Sequence, residues 1–152
     1  RDYAGEPNRT EFVRSVGGVD FINDSKATNA GATLAALQGL GQPAVLIAGG
    51  LGKGQDFSVL ADAVREHVRS VLLIGQDAPL IERALAGTGV PMTHYQSLEA
   101  AVADSLSHAH PGDVVMLSPA CASMDMFRNY VHRSACFVEA VHELAADRGA
   151  VA

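Results

Sequence analysis

Residues 16–50 read "VGGVDFINDSKATNAGATLAALQGLGQPAVLIAGG", and this stretch decides the fold. Gly17-Gly18 is a hairpin turn signal between two short strand patterns, "TEFVRSV" before it and "VDFIND" after it. Then "ATNAGATLAALQGL" (27–40) sets Ala30, Leu34 and Leu37 on one helical face and should stop at Gly39 or Gly41. "AVLIAGG" (44–50) is a continuous apolar run, as expected of a strand covered on both faces. A strand, a helix and a buried strand in succession make a right-handed crossover unit, and the hairpin adds one antiparallel neighbour.

Working outward, the alternation continues. "SVLADAVREHV" (58–68) reads as a helix with Ser58 as N-cap, and "SVLLIG" (70–75) as the next buried strand. "DAPLIERALAG" (77–87) predicts a helix capped by Asp77, with Pro79 in its first turn and Gly87 as its stop. "PMTHY" (91–95) is a short strand, and "SLEAAVADSLSHA" (97–109) places Leu98, Val102 and Leu106 at i, i+4 and i+8. "GDVVMLSP" (112–119) is the last strand. The long helix after it carries Phe137, Val138, Val141, Leu144 and Ala145 on one face. The fold class is therefore α/β: a mostly parallel, Rossmann-like sheet of about six strands, one of them antiparallel, with helices on both faces. No repeat, linker or low-complexity tract interrupts residues 1–152, so one domain is expected.

Composition excludes several classes. The formal charge of −6 argues against a nucleic-acid or anionic-membrane partner, which would want a basic surface. Apolar residues are 48% of the chain but aromatics only 5%, so the core should be Ala, Val, Leu and Ile. Cys121 and Cys136 show no CxxC or zinc spacing, which suits a reduced cytoplasmic setting. The six histidines form no HExxH or ligand triad, so no metal is assigned. No apolar run is long enough to span a bilayer, and no signal or transit peptide is visible. The first residue is Arg1 rather than Met, which reads as a piece of a longer chain. There are nine Arg but only two Lys, Lys26 and Lys53, and both follow a predicted strand. A compact ammonium at each place is one explanation; a base-composition bias towards Arg is the other.

In open α/β sheets ligands bind beyond the carboxyl ends of strands. Three strand exits are polar or glycine-rich beyond what a turn needs: "NDSKATN" (23–29), "GGLGKGQDF" (49–57) and "SPACASMDMF" (118–127). The strands ending near Ile22, Ala48 and Leu117 should therefore be neighbours, with the first in the middle. "GQDAP" and "HYQS" look like ordinary capped turns. "GGLGKGQ" fails the Walker pattern, since Ile47 stands where the first Gly is needed and Gly54 where the hydroxyl is needed. What remains is a flexible backbone cradle with one ammonium, suited to a carboxylate or a phosphate. "SPACASMD" offers Ser118, Ser123 and N–H groups leading into the last helix, where anions are favoured. Cys121 has no histidine placed to activate it and is better read as packing.

"INDSKATN", the glycine-rich loop with Lys53, and "LSPACAS.D.F.NY..R" together resemble the carboxy-terminal domain of the Mur ligase family of peptidoglycan synthesis. The closest resemblance is to the branch that adds D-glutamate. The resemblance spans nearly the whole chain. It implies an ATP- and magnesium-dependent ligase of three domains that joins D-glutamate to UDP-N-acetylmuramoyl-L-alanine through an acyl phosphate. It also implies a cytoplasmic monomer, and a domain that is inactive alone and binds neither cofactor by itself. Carried over by position, Thr28, Lys53, Ser123 and the backbone of Met124 and Tyr130 would clamp D-glutamate. Arg9 would lie near the ATP phosphates and Asp24 near the ribose. Lys26, the one catalytic candidate, would face ATP and neutralise charge as the acyl phosphate breaks down. The family often has His before the Arg matched to Arg9; here it is Asn8. A sister ligase for another amino acid, or a stand-alone binding module, are the alternatives. The first would want an Arg-bearing motif where "SPACAS" stands.

Overall fold

Residues 9–149 are described by a computed structural model; Asn8 lies outside them. The elements run β1 (Glu11–Val16), β2 (Val19–Asn23), α1 (Ala30–Gly39), β3 (Ala44–Gly49), α2 (Ala61–His67), β4 (Val68–Ile74), α3 (Ala78–Leu85), β5 (Met92–His94), α4 (Leu98–Ser105), β6 (Val114–Leu117) and α5 (Tyr130–Asp147). The strands form one sheet in the order β1-β2-β6-β3-β4-β5. Only β1 and β2 are antiparallel; every other neighbouring pair is parallel.

The three strands that end in the polar loops are adjacent, as expected, but β6 rather than β2 lies in the middle. The reason is the hairpin. One edge of β2 is already taken by β1, paired from Glu11↔Asn23 to Val16↔Val19, so β2 has a single edge left to offer. The last strand fills it and pairs Asp20↔Val114 through Asn23↔Leu117. From β2 through β3 and β4 to β5 the chain moves one way along the sheet, then returns to insert β6 between β2 and β3; the helices after β2 and β6 so lie on opposite faces, the arrangement at which α/β sheets open a crevice.

Alternation along the buried strands divides the core in two, because successive side chains point to opposite faces. Ile22, Leu46, Ala48, Val71, Leu73, Val114 and Met116 pack with Leu37, Leu60, Val64 and Ile81, so α1, α2 and α3 cover one face. Phe21, Val45, Ile47, Leu72, Ile74, Val115 and Leu117 pack with Leu98, Val102, Phe137 and Val141, so α4 and α5 cover the other. Of the residues expected on the apolar face of α5, Phe137, Val141 and Ala145 are buried, whereas Val138 and Leu144 are only half-buried. Ala140 takes a core place instead.

Several ends differ from expectation. Ser58 does not cap a helix; Asp56 does, accepting from Ser58 N–H, and a turn of 3-10 helix at Phe57–Leu60 leads into α2. The helix α3 runs past Gly87 in a 3-10 turn and stops at Gly89, which takes the left-handed conformation (φ 77°) that glycine adopts without cost. Asp77 makes no cap hydrogen bond to α3. Its carboxylate is used elsewhere. Among the described residues, no helix is long and apolar enough to cross a membrane.

Candidate functional site

At the carboxyl ends of β2, β6, β3 and β4 the loops are tied to one another by hydrogen bonds. Asp24 N–H donates to Leu117 O at 2.8 Å, and Gly49 N–H to Pro119 O at 2.9 Å. Leu51 and Ala122 exchange both backbone bonds, at 3.0 and 2.9 Å, as an isolated antiparallel bridge. Such close approach needs glycine. A Cβ on Gly49 would stand 1.7 Å from Ile74 O, and one on Gly50 would stand 2.4 Å from Ala122 O.

The exit of β4, read from sequence as an ordinary turn, belongs to the same network. Asp77 Oδ2 accepts from Gly52 N–H at 2.7 Å, and Asp77 N–H donates to Gly50 O at 2.9 Å. Gln76 N–H reaches Asp125 Oδ2 in the β6 loop at 2.8 Å. The glycine-rich loop is therefore pinned rather than a flexible cradle. Its tip is a tight turn closed by Gln55 N–H to Gly52 O at 3.2 Å. Lys53 (φ 52°) and Gly54 (φ 74°) occupy the two central positions, both left-handed, as a primed turn requires. Lys53 is exposed at that tip. A lysine held there costs backbone energy, and such strain is concentrated at working sites.

Two side chains to which the sequence assigns no role, Gln55 and the Arg133 that closes the last motif, hold the loops in place. The Gln55 carboxamide accepts from Ala30 N–H at 2.7 Å and donates to Ala120 O at 2.8 Å. Arg133, 1% exposed, donates to Cys121 O at 3.1 Å and to Ser25 O at 3.0 Å. Burial pulls the Arg133 pKa down to about 10, so the guanidinium stays charged at neutral pH. Burial pushes the Cys121 thiol up to about 12, in keeping with packing rather than nucleophilic use.

Asp24 is buried at the end of β2. Its Oδ1 accepts from Thr10 N–H at 3.0 Å and its Oδ2 from Ser118 Oγ at 2.7 Å. Burial raises its carboxyl above the ordinary value, opposed by the Ser118 hydroxyl, the Thr10 N–H and the charge of Arg9. Beside it opens a cleft of 370 Å³ lined by Arg9, Thr10, Asp24 and Lys26 and floored by Ala27 and the small-residue stripe of α1. Arg9, Asp24 and Lys26 are thus brought together on one cavity. Thr28, Lys53, Ser123, Met124 and Tyr130 do not line it.

Ser123 is buried and lies seven positions before α5, so it does not enter that helix as expected. Its carbonyl instead closes a turn, accepting from Met126 N–H at 3.1 Å and Phe127 N–H at 2.9 Å. The cap of α5 is Asn129, which accepts from His132 N–H at 2.8 Å. Met124 is therefore on a loop, with an exposed side chain, while Tyr130 is the first residue of the helix, where backbone N–H groups favour an anion. Thr28 is half-buried between Ala27 and Asn29, the N-cap of α1. Among the described residues no group of three or more His, Cys, Asp or Glu could hold a metal ion.

Residues 8–121 match the family described as Mur ligase, glutamate ligase domain. The chain is 61% identical over 151 residues to the UDP-N-acetylmuramoylalanine--D-glutamate ligase of Bordetella avium, which covers 99% of the chain but only 30% of that relative. Among solved structures, MurF from Acinetobacter baumannii superposes with a TM-score of 0.63 at 14% identity, covering 92% of this chain and 31% of that one. The MurF ligase from Thermotoga maritima in complex with ADP superposes with a TM-score of 0.55 at 16% identity, covering 94% of this chain and 32% of that one.

Proposed function

The chain belongs to the Mur ligase family, and we propose that it is the carboxy-terminal, amino-acid-binding domain of a three-domain, ATP-dependent ligase that adds D-glutamate to UDP-N-acetylmuramoyl-L-alanine. The observation that carries this reading is the clustering of Arg9, Asp24 and Lys26 on one cleft, with Lys53 held on a separate pinned turn. The identity to relatives that bear this activity in their names supports the choice of substrate. The Thermotoga maritima neighbour is described in complex with ADP, which is in keeping with a nucleotide-using ligase.

The chemistry is the one that the family resemblance implies. An acyl phosphate forms on the precursor at the expense of ATP, and the amine of D-glutamate then attacks it, releasing phosphate. This domain's share is positioning and charge stabilisation. Arg9 and Lys26 supply cations for the phosphates, and Asp24 an acceptor for the ribose hydroxyls. Lys26 is the group that offsets charge as the acyl phosphate breaks down. D-glutamate carries two carboxylates, met by the Lys53 ammonium, the Thr28 and Ser123 hydroxyls and the backbone at Met124 and Tyr130. Among the described residues no group of three or more His, Cys, Asp or Glu is present to cage a magnesium ion, and by the family resemblance the metal that accompanies ATP would be held outside this domain. The ligase is read as a cytoplasmic monomer, and this domain alone as inactive.

The test is ligation by the full-length enzyme, with ATP and UDP-N-acetylmuramoyl-L-alanine, offered D-glutamate or a diamino acid. Phosphate release that depends on D-glutamate supports the reading. Turnover with the diamino acid and none with D-glutamate would replace it with the sister-ligase reading.

A further inference from the structure

We propose that Gln55 is a positioning residue for the amino-acid substrate, locking Lys53, Thr28 and Ser123 into one constellation; the inference rests on the D-glutamate reading above. Gln55 is two residues after Lys53. Its Oε1 accepts from Ala30, two residues after Thr28, and its Nε2 donates to Ala120, three residues before Ser123. One side chain therefore reaches all three loops that carry the proposed clamp.

The partners explain why an amide stands there. Ala30 is the first residue of α1, so its N–H is one of the donors a helix leaves unpaired and wants an acceptor. Ala120 is buried with φ 63° and has its own N–H on Ala27 O at 3.0 Å; its carbonyl wants a donor. A carboxamide offers one acceptor and one donor from the same plane. Glutamate would keep the bond to Ala30 but turn an oxygen against the Ala120 carbonyl. Leucine would lose both.

The turn that presents Lys53 is fastened at both ends. Asp77 holds Gly52 N–H at 2.7 Å, and Gln55 closes the turn with its own N–H while its side chain grips the neighbouring loops. The backbone that carries Lys53 is thus fixed before the ligand arrives, which lowers the ordering cost of binding. Gln55 does not itself line the nucleotide cleft, so a misplaced clamp should weaken D-glutamate binding first.

The experiment is steady-state kinetics of the full-length ligase carrying Gln55→Leu, Gln55→Glu or Lys53→Ala. Gln55→Leu should raise the KM for D-glutamate about tenfold, with the KM values for ATP and the UDP-linked precursor within about twofold of wild type. Gln55→Glu should fall between the two, and it remains the readout if the Leu variant does not fold. A wild-type D-glutamate KM in whichever variant folds, alongside a raised KM in Lys53→Ala, overturns the role of Gln55 alone. A uniform rise of all three KM values with a loss of thermal stability also overturns it, since that marks a merely structural side chain. If Lys53→Ala leaves the D-glutamate KM unchanged, the clamp itself falls and Gln55 with it.

Discussion

Ser118 Oγ donates to Asp24 Oδ2 at 2.7 Å, across the ends of the adjacent strands β6 and β2, and both side chains are buried. Thr33 Oγ1 lies 3.0 Å from the same hydroxyl and donates to Ser118 O at 3.1 Å. A carboxylate is kept where burial disfavours its charge, at the wall of the proposed nucleotide cleft. Stability alone would not choose it.

Asp24→Asn should therefore be tolerated by the fold and harmful to ATP use. The folded carboxyl titrates above its unfolded value, so its contribution to stability is present below pH ~4 and is lost as pH rises through the folded value. At neutral pH the charge is a net cost. The amide keeps the bond from Thr10 N–H and donates to Ser118 Oγ, which then donates to Thr33. Urea melts at about pH 4 and about pH 7 should show Asn equal to Asp or slightly better, with the gain at the higher pH. A loss of more than about 1 kcal/mol at neutral pH would contradict this.

Gly49→Ala should cost upwards of about 3 kcal/mol, since a left-handed glycine and a backbone clash are both involved. Its φ is 137°, and the added Cβ meets Ile74 O at 1.7 Å, so β3 and β4 must part. Gly54→Ala, where a Cβ meets nothing within 4 Å, should lose only the φ preference (74°). Equal denaturation midpoints for the two variants would show that the close approach at Gly49 does not matter.

Arg133→Met should destabilise by about 3 kcal/mol, because it leaves Ser25 O and Cys121 O buried without donors. Arg133→Lys should recover only part, since one ammonium on a shorter reach does not span two carbonyls as a guanidinium does. Chemical denaturation at constant m-value checks the order Arg, Lys, Met.

Asp113 supplies a control far from the chemistry. It accepts from Arg69 Nε at 2.6 Å and Nη2 at 3.1 Å, and from His110 N–H at 2.8 Å. Burial alone would raise its carboxyl, but these donors hold it below the usual range. Its stabilising contribution is present above the unfolded value and is lost as pH falls through the lowered folded one. Asp113→Ala should lower the thermal midpoint by about 5 °C near neutral pH, and by less in acid, with all substrate KM values unchanged.

How much of this was legible in the sequence depends on the range of the interaction. Strands such as 44–49 and the hairpin at Gly17-Gly18 are written in local patterning and were readable. The place of β6 between β2 and β3 was not, since it depends on which strand edge remains open once the hairpin has formed. Asp24, Lys26 and Lys53 announce themselves as unusual groups after strands, whereas Arg9, ahead of β1, is reached only through the family resemblance. Gln55, Asp77 and Arg133 do not announce themselves. Their partners are backbone atoms 12 to 108 positions away, and nothing in a carboxamide, a helix-entry aspartate or a helical arginine records that. Ser123 was misread as a helix entry because the turn around its carbonyl and the Asn129 cap lie between it and α5.

One short loop is proposed to serve two substrates, with Asp24 and Lys26 assigned to ATP and Thr28, together with Lys53, to the amino acid. The direct test is a two-by-two comparison in the full-length ligase, Asp24→Ala and Lys53→Ala each titrated with ATP and with D-glutamate. Asp24→Ala should raise the ATP KM, and Lys53→Ala the D-glutamate KM, by about tenfold or more, each leaving the other KM within about twofold. Wild-type D-glutamate kinetics in Lys53→Ala, or the same KM moved by both variants, would contradict it.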